Sequence, residues 1–83
     1  RNRVLKQGAA GMLTPFVLMS SQIMGMGFKA YHADRLANSI LNAGETTVNE
    51  LRFEVSGTLT SVFRHDENGR RLVCQVEAAN PAI

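Results

Sequence analysis

Eighty-three residues carry nine Lys or Arg against seven Asp or Glu, a net charge of +2, with 45% hydrophobic and 19% charged residues. That length supports one domain, and so small a chain commonly leans on disulfides, metals or partners for stability. Cys74 is the sole cysteine, which excludes an internal disulfide, and with only His32 and His65 beside it in the sequence it makes no zinc site, so partners are the stabilising route left and no cofactor or metal is expected.

Arg1, Arg3 and Lys6 open the chain, and residues 8–28 then run through 21 positions without a charge. Such a basic flank holds the N-terminus of a membrane segment in the cytoplasm, whereas a secretory signal has a shorter apolar core. At about 1.5 Å per helical residue the window spans on the order of 30 Å, the thickness of a bilayer's hydrocarbon core. Twelve of its residues are Ala, Met, Leu, Phe, Val or Ile; the others are Gly8, Gly11, Thr14, Pro15, Ser20, Ser21, Gln22, Gly25 and Gly27, a mixture suited to packing against other helices.

Met12, Phe16, Met19, Ile23, Met26, Ala30, Ala33, Ala37 and Ile40 follow one another in alternating steps of four and three, all apolar. This spacing predicts one continuous helix with a single seam, running from the uncharged window into the charged stretch. Leu36 and Leu41 widen the stripe, Lys29, His32, Asp34, Arg35, Asn38 and Asn42 fall on other faces, and Gly44 stands where a C-cap glycine belongs. The expected length of about 35 residues points to a membrane anchor, a coiled coil or a filament core. Pro15 either kinks this helix or marks its true start, and Gly25 and Gly27 predict a bend.

Beyond a polar connector the period changes to two. Leu51, Phe53, Val55, Gly57, Leu59, Ser61 and Phe63 alternate with mostly polar residues, which predicts a long strand with one face on a core and a bulge or bend at Gly57. A hairpin at Ser56-Gly57 is the second choice, because it sets Leu59 on the face opposite Phe53. Asn68-Gly69 signals a two-residue hairpin loop, pairing Glu67 with Arg70, His65 with Leu72, Phe63 with Cys74 and Leu59 with Ala78. In that arrangement Leu51, Phe53 and Val55 have no mate and form an apolar strand segment open to a neighbour's edge.

No catalytic arrangement stands out. His32 and Asp34, two apart on a helix, point to different sides and read as a solvated face. Cys74 falls on the apolar strand face, with His65 near it across the hairpin, and reads as a buried thiol rather than a reactive one. Met12, Met19, Met24 and Met26 form either an adaptable binding stripe or, at seam spacing, ordinary core. One Tyr, no Trp and basic residues dispersed apart from Arg1, Arg3, Lys6 and the Arg70-Arg71 pair argue against nucleic acid as the main ligand.

Basic leader, glycine, uncharged helix, amphipathic continuation and antiparallel sheet together resemble the plan of type IV pilin-like proteins. Lys6-Gln7-Gly8-Ala9-Ala10, Gly27-Phe28, Tyr31, Ala33, Leu36 and Asn42-Ala43-Gly44 are most similar in pattern to the tight-adherence pseudopilins. The likeness implies a processing site after Gly8, and Leu13, where such subunits carry a glutamate, implies an uncut or minor assembly subunit. Residues 58–81, with Thr58-Leu59-Thr60-Ser61-Val62-Phe63 and Asp66-Glu67-Asn68-Gly69 leading to Leu72-Val73-Cys74, also resemble strands E and F of an immunoglobulin-type adhesion module, the alternative reading.

The sequence thus predicts an α+β, pilin-like chain: a long N-terminal helix over residues 1–44, with residues 8–28 as its membrane or filament-core segment, and a small antiparallel sheet over residues 45–83. The expected function is a non-enzymatic structural subunit of a pilus-like filament or membrane assembly. It would sit in the bacterial inner membrane or an extracellular filament and associate with copies of itself or related subunits. Helix packing falls to Met12, Phe16, Met19, Ile23, Met26, Ala30, Ala33, Ala37 and Ile40 and strand contact to Leu51, Phe53 and Val55, with no nucleic acid and no small-molecule substrate.

Overall fold

The computed structural model describes residues 14–78, which form two helices and a three-stranded antiparallel sheet: α1 Pro15–Gly25, α2 Ala30–Asn42, β1 Leu51–Ser56, β2 Leu59–Asp66 and β3 Gly69–Glu77. Gly8 and Met12, the basic leader, and the Asn80-Pro81 end of the immunoglobulin-like stretch lie outside them.

The single long helix is corrected to two short ones. Thr14 caps α1, its hydroxyl accepting from the Val17 N–H at 3.1 Å, and Pro15 occupies the first turn, where a missing N–H costs nothing. Eleven residues later the helix stops. Gly27 turns the chain with φ +110 and donates its N–H to the Met24 carbonyl, a conformation that side chains with a Cβ disfavour. The three-and-four spacing survives this break because α1 and α2 fold back on each other and point their apolar residues into one core. Met19 and Ile23 from α1 and Ala33, Leu36, Ala37 and Ile40 from α2 are buried there with Val48, Leu51, Val62 and Val76. Phe16 packs at the margin of this core, Ala30 is exposed and Met26 is 48% exposed, so the expected seam is interrupted at the bend. Among the described residues no helix is long and apolar enough to cross a membrane, which corrects the expected transmembrane segment there and with it the pilin-like plan.

Gly44, at φ +94, ends α2 as expected. Its N–H bonds to the Leu41 carbonyl and that of Glu45 to the Ile40 carbonyl, the paired bonds of a Schellman motif. The sheet then meanders in chain order. β1 and β2 are joined by Gly57 and Thr58, with Ser56 opposite Leu59 and Gly57 at φ +62 in the first loop position, as a type II′ turn requires. The chain therefore turns here rather than running on as one long strand, but one residue beyond the second-ranked Ser56-Gly57 site, and Leu51, Phe53 and Val55 are paired within the chain, opposite Arg64, Val62 and Thr60.

In the second hairpin Glu67 and Asn68 are the loop. The Asp66 carboxylate accepts from the Asn68 N–H, and the positive φ falls on Gly69 alone. Asp66 thus faces Gly69, and a bulge leaves Val73 unpaired between Phe63↔Leu72 and Val62↔Cys74, which shifts the expected register. The face turned toward the helices carries Leu51, Phe53, Thr60, Val62, Cys74 and Val76, whereas Leu59, Phe63 and Leu72 lie on the other. Direct pairing of β2 with β3 also departs from the immunoglobulin arrangement, in which strands E and F belong to opposite sheets.

Ile40→Ala should lower stability by about 3 kcal/mol through the cavity it leaves. Leu18→Ala, on the exposed side of α1, should stay within about 0.5 kcal/mol. Urea unfolding midpoints at constant slope measure both.

Candidate functional site

Two polar clusters sit where the helices meet the sheet, and each begins with a residue on the inner face of β2. Thr60 is fully enclosed, and its hydroxyl lies 3.4 Å from Nε2 of His32, a buried residue on α2. The His32 ring meets Phe28 edge to face at 5.3 Å, and Phe28 in turn lies 5.8 Å from Phe53. Burial holds the imidazole below its ordinary 6.5, against an opposing hydrogen bond to the Val76 main chain and with a small further push from the Arg35 charge. The fold thereby favours the neutral imidazole, and His32 pins α2 to β2 and β3. A solvated position for it is corrected by this burial.

The second cluster is built on Glu45, which the Schellman turn aims at the sheet. Arg64 clamps one carboxylate oxygen through Nε at 2.9 Å and Nη2 at 2.6 Å, and Arg71 holds the other at 3.1 Å. Arg64 also reaches Glu50 at 3.0 Å. The Arg64 hydrogen bonds, outweighing burial and aided by Arg71, keep the Glu45 carboxyl below its ordinary 4.5. Only 8% of the Glu45 side chain meets solvent, whereas its partner Arg71 is 58% exposed, so the carboxylate is enclosed beneath guanidinium groups that reach the surface. Asp34 likewise is drawn inward, accepting from the Ser20 hydroxyl and joining α1 to α2.

Both arrangements join the helices to the sheet. Thr60 beside His32 pairs a hydroxyl with a base, but nothing reaches a hydroxyl with no exposed surface. Cys74 lies on the inner face opposite Val62, half-buried, and its thiol is raised by that burial, so it lacks thiolate character; His65 is on the other face opposite Arg70. Among the described residues no His, Cys, Asp and Glu group has the geometry of a metal site.

Surface chemistry is concentrated on the outer sheet face and its β1 edge. Arg70 stacks over the Phe63 ring at 4.0 Å and bonds Glu54 at 2.7 Å, and Gln75 donates to the Ser61 hydroxyl across the pair. Leu72 is 48% exposed there, and Val55, at the open edge, 61% exposed. Of the four methionines, Met19 is core, Met24 and Met26 are surface, and Met12 lies outside the described residues. The two clusters of the inner face went unseen in the sequence, where Thr60 and Arg64 occur at positions that alternation assigns to solvent. Comparison with protein-family models, curated proteins and solved structures gives no match.

Acid should destabilise the fold in two stages. Both groups have depressed folded pKa values, so the unfolded chain binds the proton first and stability falls with pH: below about 6.5 through His32, and again below about 4.5 through Glu45. His32→Gln should flatten the upper stage alone, and Glu45→Gln should lower the melting temperature by several degrees at pH 7 while flattening the lower one. Thermal melts from pH 4 to 8 measure this.

Proposed function

We propose that the chain is a non-catalytic interaction module that associates with copies of itself. The observation that carries this is the division of its side chains: the groups with chemical potential are enclosed as pins between helices and sheet, while large apolar groups remain outside. Leu18 and Met24 on α1, Met26 beside it, and Val55, Leu59 and Leu72 on the sheet are all exposed. A core shared by so few elements leaves α1, apolar almost all round, only partly covered, as expected of a helix that belongs to a larger assembly. Stability that a small chain cannot draw from its own interior is then supplied by a neighbour. The reading requires no membrane.

Sedimentation of the full chain from micromolar to millimolar concentration tests this. A weight-average mass that rises with concentration is expected, and one fixed at the monomer value would remove the reading.

A further inference from the structure

From the edge strand we infer that two copies join β1 to β1 across a two-fold axis, antiparallel and centred on Phe53, to make one continuous six-stranded sheet. This rests on the self-association proposed above and specifies its interface.

Main-chain direction permits it. The His65 N–H bonds to the Glu50 carbonyl at 3.2 Å, so by alternation Arg52, Glu54 and Ser56 also turn their main-chain groups toward β2. Leu51, Phe53 and Val55 turn theirs to the free edge. The Leu51 N–H is satisfied there by the Val48 carbonyl at 3.1 Å, which stops the ladder at that end. Pairing about Phe53 joins its N–H and carbonyl to those of the second copy's Phe53, and directs the Val55 N–H to the second copy's Leu51 carbonyl.

Charge selects this register. With Phe53 opposite itself, Arg52 lies opposite the second copy's Glu54 and Glu54 opposite its Arg52, two complementary pairs on the outer face. Glu54, already bonded to Arg70, retains an oxygen for this contact. On the inner face Val55 comes beside the second copy's Leu51, covering an apolar side chain that the helices leave bare. Moving the centre to Glu54 would set two carboxylates directly opposite each other.

The other sheet edge is unsuited. β3 carries the Val73 bulge in mid-strand and lies under α2, and a bulge disrupts the straight run of groups that pairing needs. β1 has no bulge, proline or lysine.

Charge reversal tests the interface. The full chain with Arg52→Glu, and separately with Glu54→Arg, should each dissociate about tenfold more readily than wild type in sedimentation equilibrium. An equimolar mixture of the two should recover the dimer, because the first variant then presents two carboxylates to the two guanidinium groups of the second. Amide exchange of the wild-type chain gives a readout independent of folding in the variants: protection at Phe53 and Val55 should rise with concentration, and protection along β3 should not. Unchanged dimerisation in both variants, a mixture that stays dissociated, or concentration-independent protection at Phe53 overturns the β1 interface and leaves self-association standing. A wild-type chain that is monomeric throughout overturns both.

Discussion

The two-residue turn at Gly57 and Thr58 decides which side chains are inside. With Ser56 opposite Leu59, odd-numbered residues of β1 share a face with even-numbered residues of β2. Leu51, Phe53, Thr60 and Val62 therefore face the helices, and so does Arg64. Every other feature adjusts to that parity. Thr60 needs a partner and finds His32; Arg64 needs one and finds Glu45; Leu59 and Phe63 are left on the outer face, the second of them covered by the Arg70 guanidinium.

Burying polar groups is costly unless each is satisfied. Among the described residues no buried side-chain nitrogen or oxygen lacks a partner, and the way this is achieved gives the fold its specificity. Glu45 is delivered by the turn that ends α2, so the helix terminus and the sheet register define each other. A helix one turn longer would carry the carboxylate away from Arg64 and Arg71. The cluster at Thr60 performs the same service nearer the centre, where imidazole, hydroxyl and two aromatic rings meet in one layer.

Part of this was legible. The α+β order, the C-terminal glycine of α2 and a hairpin near Asn68 follow from spacing and turn chemistry; the same spacing marks Met19, Ile23, Ala33, Ala37 and Ile40 as packing residues, but for neighbouring copies, whereas they pack in the chain's own core. The continuous helix does not, because a seam of threes and fours cannot distinguish one straight helix from two that fold onto a common core; Gly25 and Gly27 carried the signal, and the bend they imply is a complete break that ends one helix and sets the next against it. The sheet face was misassigned for a related reason. Alternation through Gly57 is unbroken in the sequence, yet the strand is not, and inward Thr60 and Arg64 look like solvent residues until their partners, 28 and 19 positions away, are placed.

Strand order that equals chain order, with a helix pair joined by a short bend, means that nearly every packed pair of elements is also a pair of sequence neighbours. Such a chain closes few long loops, which lowers the entropy cost of bringing its elements together. The packing of α2 on β3 is the exception, and it joins the helix that precedes the meander to the meander's last strand. Docking of α2, with its histidine and the carboxylate at its end, therefore closes the longest loop among these pairs and ties the helices and the sheet into one unit.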